Sequence, residues 1–379
     1  MVPAGAALNS QTMTIQATSR AVDGSSQVER YAPYAGREVL VLCGIAAGLV
    51  FAFLASLAFG STSVPIGRVV EVLLGTSTDR DGAAVVVEAI RLPRSLAALL
   101  AGAALGIAGL QMQTLFRNPL ADPFALGISS GASLGVAIVV LGSGTSVAAA
   151  FGTSTGLRGD ALLIGAAVAG ALAVLVLVLV VSSRVSHPTT VLILGLMFGY
   201  AASAIVTVLV GMSSPERLMQ LAQWGFGSFS GVTWQRLRLF APLTTAGVAL
   251  AIVMTKQLNA LLLGENYARS MGVSVRRARL LTMLGASVLG AVVTAFCGPI
   301  AFLGIAVPHL CRGLLGTSNH RVLVPAVVLM GGAVALVAQV VSLAPGSAGV
   351  LPLNAVTSII GAPVVVAVLL RSRRGAFAA

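Results

Sequence analysis

From Glu38 to Arg371 the chain is a succession of long apolar runs broken by short polar punctuation. The runs lie at about 39–60, 92–115, 122–142, 161–182, 189–211, 238–255, 279–297, 299–316, 322–343 and 353–370. Most approach the roughly 20 residues that a helix needs to cross the hydrocarbon of a bilayer. Several are rich in Gly and Ala, which lets helix backbones approach closely where lipid removes the hydrophobic drive for association. The pattern predicts an all-α polytopic membrane protein with ten transmembrane helices over residues 37–374. Residues 1–36 are polar, with Ser, Gln, Thr and both charge signs. They lack the basic start and early apolar stretch of a secretory signal. They read as a disordered tail, or as the product of a start codon placed too far upstream. Residues 375–379 form a short C-terminal tail.

Composition agrees with this reading. The chain is 57% hydrophobic and 9% charged, against about 25% charged residues in a soluble domain. No acidic residue lies between Asp160 and Glu216, between Glu216 and Glu265, or after Glu265. The net charge of +12 comes from arginines and Lys256, most of them at the ends of apolar runs. There they set topology and do not read as a nucleic-acid surface. Roughly two-thirds of the 23 basic residues fall on segments that a cytoplasmic N-terminus would place inside, so both termini are expected in the cytoplasm. Cys43, Cys297 and Cys311 lie in or beside apolar runs and read as small buried hydrophobes, without a CxxC pair.

Polarity concentrates in LFRNPLADPFALGISSGASLG, Leu115 to Gly135. Pro119 and Pro123 stop one helix and prepare the next, with a cytoplasmic turn from Arg117 to Asp122. The following Gly127, Ser129, Ser130, Gly131 and Ser133 fit either close helix packing or the wall of a water-filled path. Other chemistry is missing from the sequence. The only lysine, in MTKQLN, is not in a phosphate-binding loop. No carboxylate falls in the interior of a predicted span, which disfavours an ion-coupled secondary carrier. His187 and His320 fall in turns, and His309, inside a span, reads as a packing or hydrogen-bonding residue. No catalytic group or metal site is predicted. Energy should therefore come from another chain, received at the cytoplasmic segment of about 257–278. There Leu258, Leu262, Leu263 and Met271 offer apolar contacts, Glu265 and Arg269 can pair at i, i+4, and Gly264 and Gly272 bracket a short helix.

RLPRSLAALLAGAALGIAGLQMQTLFRNPLADPFALGISSGAS, LLLGENYARSMGVSVRRARLL, CGPIAFLGIAVPHLCRGLLG, SNHRVLVPA and LPLNAVTSIIGAP resemble, in order, the FecCD-type permeases. These are membrane subunits of type II ABC importers for iron–siderophore, haem and cobalamin. The resemblance implies the type II permease fold, a multi-pass location in a prokaryotic cytoplasmic membrane, and a homodimer or close heterodimer. It implies two cytosolic ABC ATPase subunits that bind ATP and Mg, an extracytoplasmic substrate-binding protein, and no cofactor in this chain. By match to the family's motifs, Arg91 and Arg94 are expected to hold the binding protein, and Asn118 and Leu120 to form the cytoplasmic gate. Ser129 and Ser130 are expected along the path, with Thr189, Thr190, Ser213 and Ser214 as looser constriction positions. Leu263, Gly264, Glu265, Ala268, Arg269 and Gly272 match the coupling helices. The cargo so implied is a ferric siderophore or similar iron chelate, with haem or cobalamin as the alternative. The chain departs from many relatives at Gln339, Leu343 and Val350, where an Asp, an Arg and a Glu are common. FALGI (124–128) and AFLGI (301–305) hint at an inverted repeat.

Overall fold

The computed structural model describes residues 24–60, 63–76, 81–141, 157–182, 184–185, 188–343 and 350–376. The elements are α1 (Gly24–Ala58), α2 (Ile66–Leu74), α3 (Gly82–Phe116), α4 (Ile128–Leu141), α5 (Leu157–Ser182), α6 (Pro188–Gly211) and α7 (Pro215–Gly225). They continue with α8 (Trp234–Val253), α9 (Thr255–Leu263), α10 (Glu265–Ser270), α11 (Val275–Cys297), α12 (Leu303–Leu315), α13 (His320–Ser342) and α14 (Leu353–Ala376). Seven of these contain stretches long and apolar enough to cross a membrane, and three shorter apolar helices lie at Ile128–Leu141, Leu303–Leu315 and Leu353–Ala367. The protein is therefore a multi-pass membrane protein, and each of the ten predicted runs is matched by a helix. One difference lies at the start. Helix α1 begins at Gly24, so the last part of the polar segment continues the first helix, and residues 1–23 lie outside the described residues.

Helix α3 is the central post, buried along almost its whole inner length. Its small residues set the spacing. A Cβ at Gly102 would stand 2.1 Å from the Gly331 carbonyl oxygen of α13, and one at Gly109 only 1.8 Å from that of Gly304 in α12. Backbones this close exclude any side chain at those positions, which is how small residues let helices meet in lipid.

Two predicted spans are shorter than expected. Helix α4 has 14 residues and α12 has 13, so each is roughly 20 Å long against a hydrocarbon core of about 30 Å. The remainder of each passage is a loop at membrane depth. Residues 117–127 enter from the cytoplasmic side, and Pro123 packs on Gly290, past the midpoint of α11. Residues 298–302 enter from the outer side. They bring the start of α12 against Gly109, seven residues from the inner end of α3. Such backbone is tolerated only where protein satisfies its polar groups.

Candidate functional site

The inner loop satisfies itself. Arg117, at φ 45°, ends α3. Asn118 Oδ1 accepts from the Leu120 backbone N–H at 2.9 Å, and the Ala121 N–H donates to the Asn118 carbonyl at 3.0 Å. Asp122, only 7% exposed, accepts from the Phe124 N–H at 2.8 Å and caps the 3₁₀ turn Pro123–Leu126. Its other oxygen lies against Gly304. This carboxyl lies between α3 and α4, in the turn where the sequence places it, and serves there as a backbone cap. His309 Nε2 donates to the Pro119 carbonyl at 2.8 Å, the hydrogen-bonding role expected of it.

The GISSGAS stretch serves the packing role read from the sequence. A Cβ at Gly131 would come within 2.5 Å of the Gly170 carbonyl oxygen, and one at Gly135 within 2.0 Å of that of Ala166, so the glycines pack α4 on α5. Ser129 and Ser130 remain partly exposed, and Ser203 on α6 donates to Ser130 at 3.3 Å. Helix α6 carries exposed Thr189 and Thr190 in its first turn, at the cytoplasmic end. Ser213 and Ser214 follow its outer end, where the Ser213 hydroxyl donates back to Leu209 at 2.6 Å. Asn118 and Leu120 are exposed at the cytoplasmic surface.

The segment expected to receive an ATPase is two helices, α9 and α10, separated by Gly264 at φ 117°. Only glycine adopts that backbone without strain. Glu265 pairs with Arg269 at 3.3 Å, the i, i+4 pair read from the sequence, and also with Arg279. Leu263, Tyr267 and Met271 are exposed, and Gly272 turns the chain at φ 78° with open space around it. Ala268 is fully buried, so it seats α10 and does not present a contact surface. Arg117 donates to the Leu261 carbonyl at 3.3 Å, which fastens the inner loop to α9. Arg117, Thr189 and Gly264–Tyr267 line one cavity of about 690 Å³.

A buried polar network that the sequence reading missed joins the same parts. Asn259 on α9 accepts from the His320 backbone N–H at 2.8 Å, which orients its amide oxygen. His320 Nδ1 donates to that same oxygen at 2.8 Å, and Nε2 pairs with the Thr114 hydroxyl at 2.9 Å. His320 is fully buried as the first residue of α13, not placed in a turn. Arg312 donates to Gln113, whose amide donates to the Gly304 and Ile305 carbonyls at 3.3 Å. The available signal was QMQT at 111–114, polar residues inside an apolar run.

At the outer end the expectation of two exposed arginines needs correction. Arg91 is 5% exposed and donates to the carbonyls of Leu57 and Ala58 at 2.7 and 2.8 Å. It closes the end of α1, where carbonyls lack intrahelical partners. Arg94 is half-buried and lines a cavity of about 160 Å³ with Ser228, Ser230, Gln339, Leu343 and Val350. The three departures noted in the sequence therefore gather around Arg94. Cys297 and Cys311 are buried as expected, but Cys43 is exposed on this chain.

The FecCD transport family model matches residues 48–371. The chain is 37% identical over 285 residues to the vitamin B12 import system permease protein BtuC of Klebsiella pneumoniae, covering 75% of this chain and 82% of that protein. It is 37% identical over 333 residues to the ferric enterobactin transport system permease protein FepD of Escherichia coli K12, covering 86% and 94%. A solved metal-chelate type ABC transporter in an inward-facing conformation superposes with a TM-score of 0.74 at 28% identity, covering 87% of this chain and 99% of that one.

Proposed function

The chain belongs to the FecCD transport family, and from that premise we propose that it is the permease subunit of an ATP-driven importer for a ferric siderophore or similar iron chelate. Two copies enclose the path. Two cytosolic ATPase subunits bind ATP and Mg, and an extracytoplasmic binding protein delivers the cargo to the outer rim around Arg94. The relative named for ferric enterobactin aligns over 86% of the chain and the one named for vitamin B12 over 75%. The enterobactin relative supports an iron chelate, and the vitamin B12 relative, at the same 37% identity, keeps cobalamin, with haem, as the second reading.

The observation that carries the mechanism is the direct tie between the coupling segment and the inner loop. Exposed Leu263, Tyr267 and Met271 form an apolar pad on α9 and α10 and the following turn. Arg117 joins α9 to the turn that holds Asn118 and Leu120. A push on the pad therefore reaches the gate turn over one hydrogen bond. Asn118 and Leu120, brought together from two copies, close the cytoplasmic end, with Leu120 excluding water. Nucleotide binding in the ATPases draws the pads together or apart and changes that closure. The test is uptake of a ferric siderophore by vesicles holding the permease and its ATPase. Glu265→Arg and Gly272→Val should each cut uptake at least tenfold while ATP is still hydrolysed and membrane levels hold. Unchanged uptake in both variants overturns the coupling role.

A further inference from the structure

The ends of α8 and α13 that meet α9 enclose a cleft of about 770 Å³. Its walls are apolar, with Val248, Ile252 and Val253 from α8 and Val324, Val328 and Leu329 from α13. Its rim is basic. Lys256, in the first turn of α9, and Arg321, in the first turn of α13, both line the cleft and are exposed. Neither makes an ion pair among the described residues, where the pairs involve Arg68, Arg269 and Arg279. The nearest acidic residue in sequence to Lys256 is Glu265, already held by Arg269 and Arg279, and none follows it.

We propose that this cleft binds one anionic phospholipid of the cytoplasmic leaflet, its phosphate between Lys256 and Arg321 and an acyl chain along the apolar wall. The dimensions fit. From Arg321 to Leu329 the wall descends eight residues, roughly 12 Å, within the half-thickness of about 15 Å that an acyl chain occupies. Unpaired cations at the cytoplasmic level attract anionic headgroups, and basic pockets between helices at that depth suit them. A soluble anion would meet the cations and leave the wall bare. A neutral lipid would cover the wall and leave two charges unmatched. Pro325, which also lines the cleft, has no N–H to give the Arg321 carbonyl four residues earlier. That leaves an acceptor on the same helix face for a headgroup hydroxyl, which points to phosphatidylglycerol.

The experiment is native mass spectrometry of the permease with its partner subunits, released from nanodiscs containing both phosphatidylglycerol and phosphatidylcholine. One phosphatidylglycerol per permease chain should survive detergent exchange. The double variant Lys256→Gln, Arg321→Gln should bind it roughly 30-fold more weakly, from about 1 kcal/mol for each cation near the surface. The pair Lys256→Arg, Arg321→Lys should retain it. Ile252→Trp, which fills the wall and leaves both charges, should also weaken binding, with thermal unfolding in lipid-free detergent unchanged for each variant. Equal retention of phosphatidylcholine, displacement by inorganic phosphate, or a disulfide between Ile252→Cys residues of two copies would overturn the proposal. Those results would mean a nonselective groove, a soluble-anion site or a protein contact.

Discussion

The two loops that enter the membrane end in a similar short stretch, FALGI (124–128) inside and AFLGI (301–305) outside, yet they are held differently. The inner loop caps itself, with Asn118 and Asp122 accepting from its own backbone at 2.9 and 2.8 Å. The outer loop is apolar and borrows its cap, since the Ala301 N–H donates to Asn354 of α14 at 3.0 Å. Its turn residue is Phe302 at φ 68°, where the inner loop has Gly127 at φ 76°. A bulky side chain in that region is strained. Phe302 is kept there by its neighbours, its Cβ lying against Gly361. The inner loop is thus preformed by its own residues, whereas the outer loop depends on α14. Opposed entry of two similar loops is what an inverted repeat produces, and the meeting place of repeats is where carriers put their pathways.

The contact of α3 with the start of α12 offers the strongest way to break this arrangement. Gly109→Val would place side-chain atoms inside the Gly304 backbone, displacing the start of α12 and with it Asp122. Overpacking of this kind costs about 3 kcal/mol or more. Membrane levels should fall severely, and the melting temperature in detergent should drop by several degrees.

A smaller pair of changes sharpens the contrast between the caps. Asp122→Ala removes a local cap and should cost about 1–2 kcal/mol. Asp122→Asn keeps an acceptor and should recover most of that loss. Asn354→Ala frees the outer loop from α14 and should cost about 1 kcal/mol. Hydrogen exchange separates the two, because the first change should loosen 117–127 and the second 298–302. If each variant loosens both loops equally, they form one unit and the contrast fails.

The mildest perturbation is His309→Ala. It removes the bond from α12 to the Pro119 carbonyl, worth about 1 kcal/mol. Overall stability should change little. If Leu120 meets its copy as proposed, disulfide yield between Leu120→Cys residues of two copies should nonetheless change clearly, because the turn then keeps only the Arg117–Leu261 bond as a hydrogen-bonded tie to the second half of the chain. An unchanged yield would show that Asn118, Asp122 and the Arg117–Leu261 bond position the turn without His309.

Much of this architecture was legible along the chain. Ten apolar runs predicted ten helices because hydrocarbon demands internally hydrogen-bonded backbone over a fixed thickness, a constraint written directly in residue order. The Glu265–Arg269 pair was legible for a related reason, since i, i+4 spacing places two side chains on one face of any helix. Gly264 and Gly272 announced turns because positive φ favours glycine.

Other features depend on which helix lies beside which, and hydropathy carries no record of that. RLPR reads as two equivalent arginines. Only the position of the α1 end makes Arg91 a cap on Leu57 and Ala58 and leaves Arg94 beside Gln339 and Val350. His320 reads as a turn residue until Asn259 and Thr114, 61 and 206 residues away, are brought to its ring. The half-length helices α4 and α12 read as full spans because an apolar loop and an apolar helix have the same hydropathy. The sequence alone determined the number and order of the apolar helices, which follow from the composition of each segment against the bilayer. The tertiary structure alone decided which polar groups meet, because buried polar atoms choose partners by distance across the fold and not by position along the chain.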